Sequence, residues 1–197
     1  MKITLYGRPY NRTDRVQWML EELDLTYEYI KLDVFNFEHR QVEYKTRYGL
    51  TRLPFVELDG KVMFESGAIM LFLAGHFRDR INLLPEPDED SYKNVLQWLF
   101  FAISTLESSD ENLHSNADPA PSAPLVDTLS FLETKVQKHE FIAAERFTIA
   151  DIALANGLKW FRKDALLSFP AVEKYFSKHT KRPSFQKIIA QSEYPKR

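Results

Sequence analysis

The sequence predicts an α/β domain followed by an all-helical domain. Over roughly the first 75 residues, short β-prone runs alternate with amphipathic helical segments. The segment LLPEPDEDS, which begins at Leu83, interrupts this pattern with two prolines and four acidic residues. Hydrophobic residues then recur with helical periodicity to the end of the chain. We therefore predict an α/β domain over residues 1–77, a linker over 78–90 and a helical-bundle domain over 91–197.

The chain opens with a predicted strand–helix–strand unit. Residues 2–6, KITLY, alternate and favour β structure, and residues 27–32 form the next β-prone run. Between them, the i, i+3, i+4, i+7 spacing of an apolar helix face is occupied by Val16, Met19, Leu20 and Leu23. Two strands joined by a helix of this length are parallel, so a parallel pair is predicted.

A β-hairpin follows this unit. Residues 33–49 have no clean periodicity and are predicted to form a loop and a short, partly irregular helix. Residues 55–58 and 62–64 read as two strands joined at Asp59-Gly60, since a two-residue turn needs positive φ and glycine supplies it freely. With a final helix over 66–77, the order of elements is thioredoxin-like.

The two ends of the hairpin suggest a small peptide and anion site. Pro54 stands just before the first strand, where a cis X-Pro bond is a deliberate feature. Leu53 would then present backbone groups that pair with an extended peptide. Ser66, a predicted N-cap, would offer the positive end of a helix to a carboxylate. The alternative is an ordinary hairpin followed by a capped helix.

The helical domain contains a recognisable helix start. In ERFTIADIAL, Thr148 and Asp151 have the spacing of a capping box, so a buried helix is predicted over 149–162. Earlier helical faces are interrupted by three prolines in residues 116–124. Two further helices are predicted over 169–181 and after Pro183.

Composition excludes several functional classes. A net charge of −2 leaves no footprint for nucleic acid or for an anionic membrane, and no apolar run is long enough to span a membrane. The absence of cysteine excludes disulfides, Cys-based zinc sites and catalysis by a protein thiol. MKITLYG reads as a strand rather than a signal peptide, so a cytoplasmic protein is expected.

The pattern R-L-P-F-V-E-L-D-G followed by F-E-S-G-A-I resembles the glutathione-binding half of the glutathione S-transferase family. The resemblance extends to the capping motif and the tail, and implies the glutathione transferase fold, a homodimer, glutathione as co-substrate and no metal. In that family the residue before the cis proline pairs with the cysteinyl backbone of glutathione. A Glu-Ser pair holds its γ-glutamyl end. The matching positions are Leu53, Pro54, Glu65 and Ser66.

The loop Y-G-R-P-Y-N-R-T-D-R-V resembles the S-R-S-x-R-V loop of theta-like and bacterial members, with one departure. Asn11 stands where the catalytic Ser is expected, and Thr13 falls on the second Ser. An Asn N–H can donate to a thiolate, but the side chain cannot ionise. Tyr6 is a further hydroxyl candidate, and Tyr10 is a candidate pocket wall. The alternatives are a turn residue for Asn11, a helix cap for Thr13 and a packed aromatic for Tyr6.

The resemblance also suggests a carboxylate subsite. His39 lies fifteen positions before Pro54, the spacing at which theta-like members carry a His that binds the glycine carboxylate. Arg40 and Arg52 are further candidates, because a guanidinium matches a carboxylate with a planar fork of donors. Each of these side chains could instead be a solvated loop residue.

The resemblance therefore implies a transferase that favours the thiolate of glutathione and promotes its attack on a small hydrophobic electrophile. Aromatic and hydroxyl residues that could line the second-substrate pocket, expected between the domains, are Tyr10, Trp98, Phe101, Ser104 and Thr105. Two alternatives remain open. One is a glutathione-dependent peroxidase or disulfide reductase without a protein thiol, and the other is a non-catalytic glutathione-binding protein.

Overall fold

The computed structural model describes residues 1–49, 51–109, 121–161 and 163–191. Its strands and helices, in chain order, are β1 Ile3–Gly7, α1 Thr13–Glu22, β2 Glu28–Lys31, α2 Val42–Tyr48, β3 Phe55–Leu58, β4 Lys61–Phe64, α3 Ser66–His76, α4 Asp90–Phe100, α5 Ala123–Val136, α6 Ile149–Leu158, α7 Lys163–Leu167, α8 Pro170–Thr180 and α9 Pro183–Gln191. A 3-10 turn spans Glu38–Arg40, and a π-helical segment, Phe101–Leu106, continues α4.

The four strands form one mixed sheet in the order β2-β1-β3-β4. β1 is parallel to β2 and antiparallel to β3, and β3 and β4 form the predicted hairpin. At its turn, Asp59 and Gly60 have φ values of 49° and 81°, the positive values that a tight hairpin turn requires. The predicted parallel pair, the hairpin and the thioredoxin-like order of elements are therefore confirmed.

Alternation along β1 directs neighbouring side chains to opposite faces of the sheet. On one face, Tyr6 joins a buried cluster with Leu32, Tyr48 and Phe55. Tyr48 comes from α2, so this short helix covers that face. The neighbouring Leu5 is completely buried, and the helices α1 and α3 pack against each other.

The last helix, α9, belongs to the first compact unit of the chain, which comprises Met1–Ile81 and the segment beginning at Pro183. The indole of Trp18 lies edge-on to the ring of Phe185, with 4.7 Å between ring centroids, and its Nε1–H donates to Ser184 Oγ at 3.1 Å. The sequence analysis places this segment in the helical domain. The difference arises because periodicity predicts a helix but does not identify what it packs against.

The second compact unit, Asn82–Arg182, is built around α6, whose ten residues Ile149–Leu158 are all buried. The helix ends before the predicted limit, and residue 162 lies outside the described residues, as do residues 116–120 of the predicted break. α7 was not predicted. Ser66 is the first residue of α3 rather than its cap, because the chain enters this helix from Glu65 with a positive φ of 64°.

The predicted capping box at the start of α6 is confirmed, and its carboxylate does more than cap. Asp151 accepts hydrogen bonds from the Thr148 N–H at 2.8 Å and from the Thr148 hydroxyl at 3.0 Å. It also accepts the Ile142 N–H at 2.8 Å and the Tyr175 hydroxyl at 2.6 Å. One fully buried side chain therefore joins α6, α8 and the segment before α6.

We expect Asp151→Ala to cost more than the ~0.5–2 kcal/mol of an isolated cap, because four buried donors lose one acceptor together. The control is Ser122→Ala, which removes the ordinary N-cap of α5: Ser122 Oγ accepts the Leu125 N–H at 3.4 Å and donates to the Ser109 carbonyl at 3.0 Å. Urea unfolding of the two variants measures both losses. Equal losses would show that the additional bonds of Asp151 contribute nothing.

Candidate functional site

The predicted site residues lie at one end of the sheet because of the strand register. Gly7 pairs with Lys31, Tyr6 with Phe55, and Phe55 with Phe64. The chain leaving β1, β2 and β4 and the chain entering β3 therefore meet at the same end. We call this region the sheet-end site and define it as residues 8–13, 33–40, 52–54 and 65–66.

The Leu53–Pro54 peptide bond is cis, as the resemblance to the family implied. Leu53 lies outside the β3 ladder, which begins at Phe55, so the sheet does not use its N–H and C=O groups. Its side chain packs against the cluster around Tyr6. The backbone at Leu53 is thus held by apolar packing and lies at the position where an extended peptide would extend the hairpin.

Glu65 and Ser66 form the helix start at the same sheet end. Glu65 is exposed and has φ 64°, a conformation that non-glycine residues adopt rarely. It immediately precedes α3, whose first N–H groups lack partners within the helix and carry its positive dipole end. Ser66 is buried at the first helical position. This arrangement suits a ligand that carries both an amino group and a carboxylate.

Asn11 caps the first N–H of α1 through its side chain, from one residue before the N-cap position, which is Arg12. Its Oδ1 accepts the Thr13 N–H at 2.6 Å, and its backbone carbonyl accepts the Asp14 N–H at 3.1 Å. Because the amide oxygen faces the helix, the Nδ2 donor is directed away from it. Asn11 is partly exposed. Capping and donation to a ligand are therefore compatible roles for this side chain.

Thr13 has a different environment from Asn11. It is completely buried, and its Oγ1 accepts the Arg8 N–H at 3.2 Å. A Cβ added at Gly7 would lie only 2.2 Å from this oxygen, so only glycine allows the two residues to pack as they do. The Thr13 hydroxyl therefore joins the loop to the end of β1 and is not open to a ligand.

The third catalytic candidate, Tyr6, also has its hydroxyl engaged. It donates to Glu57 Oε2 at 3.0 Å, and the ring stacks on Phe55 with 4.6 Å between centroids. Burial raises the pKa of Tyr6 well above its usual value, which favours the neutral phenol. Glu57 in turn pairs with Arg47 at 2.7 Å. This environment supports the alternative reading of Tyr6 as a packed strand aromatic.

His39 lies on the 3-10 turn at the sheet-end site, and its Nδ1 atom is buried without a hydrogen-bond partner among the described residues. Burial, followed by the charges of Arg40 and Arg8, lowers the pKa of His39, so the imidazole is neutral at neutral pH. Arg52 is exposed immediately before Leu53. His39 and Arg52 therefore lie on two loops at the same end of the sheet.

Sequence reasoning did not identify two residues of the sheet-end site, Arg8 and Phe35. The guanidinium of Arg8 lies 5.3 Å from the centroid of the exposed Phe35 ring. The sequence signal that could have identified Arg8 was the presence of a cation in the same loop as Asn11. Tyr10, the candidate pocket wall, is 43% exposed with φ 60°, and its N–H donates to Asp14 Oδ2 at 3.1 Å.

The remaining second-substrate candidates lie in the second compact unit. Trp98 is buried and packs edge-on against Phe101 with 5.0 Å between centroids. Ser104 and Thr105 are exposed in the π-helical segment. Among the described residues, no group of three or more His, Asp or Glu side chains could hold a metal ion. Within the same ranges, no helix has the length and apolar character needed to cross a membrane.

If Tyr6 is a packing residue, Tyr6→Phe should cost about 1.5–3 kcal/mol of unfolding free energy, the usual net value of a hydrogen bond to a charged group, here the Glu57 carboxylate. The control is Tyr48→Phe in the same cluster, whose buried hydroxyl has no hydrogen-bond partner within the described ranges. Removing that hydroxyl should cost nothing. Thermal and urea unfolding give both values, and a control as costly as Tyr6→Phe would contradict this account of the cluster.

Comparison with protein-family models gives two matches. Residues 1–75 match the model described as glutathione S-transferase, N-terminal domain. Residues 93–183 match the model for the C-terminal domain of the same family. The two matches lie on either side of the predicted linker.

Individual relatives also resemble this chain over most of its length, at low sequence identity. Glutathione S-transferase 3 of Zea mays is 24% identical over 216 residues, covering 95% of this chain and 93% of the relative. The disulfide-bond oxidoreductase YfcG of Escherichia coli is 26% identical over 201 residues, covering 92% of each. Relatives that resemble the whole chain therefore carry more than one activity in their names.

Among solved structures, glutathione transferase URE2P6 from Phanerochaete chrysosporium, crystallised with oxidized glutathione, superimposes with a TM-score of 0.81. It is 25% identical, and the match covers 96% of each chain. The predicted fold, a thioredoxin-like domain followed by a helical domain, is confirmed by this similarity and by the observed sheet.

Proposed function

The chain belongs to the glutathione S-transferase family, and from this premise we propose that it is a glutathione transferase that binds glutathione at the sheet-end site. The observation that carries the proposal is the Leu53 backbone, which lies outside the β3 ladder beside the Glu65–Ser66 helix start. The hairpin register supports this pairing of features, because Phe55 lies opposite Phe64. Together they offer a peptide backbone and a helix N-terminus to one small, zwitterionic peptide.

Each end of glutathione has a proposed partner. The backbone of Leu53 pairs with the cysteinyl residue, and Glu65 and Ser66 hold the amino and carboxylate groups of the γ-glutamyl end. His39 and Arg52 bind the glycine carboxylate. Because the pKa of His39 is lowered, its imidazole contributes a neutral N–H donor, and the positive charge comes from Arg52.

The proposed thiol donor is Asn11, as in a theta-like or bacterial member whose Ser has been replaced. Its Nδ2–H donates to the sulfur while Oδ1 keeps the helix cap. A thiol with a pKa near 8.5 is mostly protonated at neutral pH, and each unit of depression requires about 1.36 kcal/mol. The N-terminus of α1 adds a favourable dipole. Thr13 and Tyr6 are not part of this proposal, because their hydroxyls are engaged inside the protein.

In the proposed reaction the thiolate sulfur forms a bond to an electrophilic carbon, and the leaving group departs with its electron pair. The second substrate is small and mainly hydrophobic. Proximity of two bound reactants supplies much of the rate. We include in the proposal a cytoplasmic homodimer, which is the usual state of this family.

The role of Asn11 is tested with two variants that both keep an oxygen for the Thr13 N–H. Asn11→Asp removes the donor and adds a negative charge, whereas Asn11→Ser restores a hydroxyl donor. We expect wild type and Asn11→Ser to release protons on binding glutathione near neutral pH. Asn11→Asp should bind without proton release and lose conjugation of 1-chloro-2,4-dinitrobenzene. Calorimetry in two buffers of different ionisation heat measures the release, and undiminished release by Asn11→Asp would exclude Asn11 as the donor.

The γ-glutamyl subsite has a separate test. We expect Glu65→Ala to raise the Kd for glutathione roughly tenfold, because a charge-assisted hydrogen bond is lost. Glu28→Ala is the control, since Glu28 is an equally exposed glutamate on β2 outside the sheet-end site. The same titrations give both values, and unchanged affinity in Glu65→Ala would reject the assignment of this subsite.

A glutathione-dependent disulfide reductase is the second candidate, and the similarity to the Escherichia coli disulfide-bond oxidoreductase favours it. With no cysteine in the chain, one glutathione thiolate would attack the substrate disulfide and a second would attack the resulting mixed disulfide. Glutathione disulfide and two substrate thiols are the products. Reduction of 2-hydroxyethyl disulfide without conjugation of the aryl chloride would favour this function. Binding with neither reaction would indicate a non-catalytic glutathione-binding protein.

A further inference from the structure

Arg8 is a cation at the sheet-end site with a fixed position. Its N–H donates to the buried Thr13 Oγ1 at 3.2 Å, which fixes the backbone where the chain leaves β1. Its side chain is half-buried, and the guanidinium carbon lies 5.3 Å from the centroid of the Phe35 ring. The contact with an aromatic ring orients the guanidinium without using its hydrogen-bond donors.

Within the described ranges, the guanidinium of Arg8 forms no ion pair or hydrogen bond. The two acidic residues of the facing loop are occupied by that loop: Asp33 accepts the N–H groups of Phe35 and Asn36, and Glu38 accepts the Asp33 N–H at 2.7 Å. A guanidinium carries five donors and matches a carboxylate bidentately. The positive charge of Arg8 also contributes to the lowered pKa of His39. The local charge balance is therefore open to an anion from a ligand.

Phe35 gives this cation a flat apolar neighbour. The ring is 76% exposed, although large aromatic side chains usually bury most of their surface. Its backbone is held by the Asp33 carboxylate at 2.9 Å, so the ring is displayed on an ordered turn. Glutathione itself contains no ring that would use this face.

Building on the proposed transferase, we propose that Arg8 binds a carboxylate of the second substrate, which is then a flat, mainly apolar electrophile that carries an anionic group. Arg8 and the thiol donor Asn11 are three residues apart, so their Cα atoms are at most about 10 Å from each other. A group attached to the glutathione sulfur would lie between Asn11 and the pair formed by Arg8 and Phe35. The glycine carboxylate has its own proposed partners in His39 and Arg52.

The test uses binding of product analogues and therefore does not depend on turnover. Glutathione, S-(4-carboxybenzyl)glutathione and its neutral isostere S-(4-carbamoylbenzyl)glutathione are titrated calorimetrically into wild type and Arg8→Gln. We expect wild type to prefer the carboxybenzyl compound roughly tenfold over the carbamoyl compound, as a charge-assisted bond would give. Arg8→Gln should abolish this preference and leave the Kd for glutathione within about twofold.

Arg40→Gln is a matched control, because the Arg40 guanidinium also lies over an aromatic ring, 5.2 Å from the centroid of Phe37, on the neighbouring turn. Arg40 is also a candidate partner of the glycine carboxylate, which both conjugates share, so Arg40→Gln should change the two affinities alike and leave their ratio unchanged. Thermal melts confirm that both variants are folded. Equal affinity of wild type for the two conjugates would overturn the inference while leaving the proposed function intact. If Arg8→Gln raised the Kd for glutathione as much as the Kd for the carboxybenzyl compound, Arg8 would be assigned to the tripeptide instead. If wild type did not bind glutathione, both proposals would be overturned.

Discussion

The pairing of β1 with a parallel strand on one side and an antiparallel strand on the other is the constraint on which the site depends. Three strands leave the sheet and one enters it at the same end, because Gly7 lies beside Lys31 and Tyr6 beside Phe55. Loops that are far apart in the sequence meet there as a result. A shift of one residue in this register would turn every side chain of a strand to the other face.

The loop after β1 is held in position at this end of the sheet by close packing. Thr13 lies against Gly7 and accepts the N–H of Arg8, so the loop is closed across its base. The amide oxygen of Asn11 then accepts an N–H at the start of α1, which leaves the amide nitrogen for the donor role proposed above. In the proposed site, Asn11 stands where the resemblance to the family predicts a catalytic hydroxyl.

Local patterns in the sequence were sufficient to predict the strands, the hairpin turn and the capping box. Each of these depends on residues close together in the chain. The packing of α9 and the environment of Tyr6 could not be predicted in this way, because Phe185 and Glu57 act over 167 and 51 positions, respectively, from Trp18 and Tyr6. For the site, motif spacing identified residues that do meet at one sheet end. It could not distinguish an available donor from an engaged one, as Asn11 and Thr13 illustrate.

The docking of α9 on α1 has a consequence for the order of biosynthesis. Proteins are made from the N-terminus, and domains generally fold as they emerge. Here the first unit of the chain is complete only after Phe185 has been translated, because that ring covers Trp18. The intervening helical unit leaves the ribosome before the α/β unit has its last helix. The nascent α/β unit therefore keeps one large apolar side chain uncovered until the helical unit that precedes α9 has been synthesised.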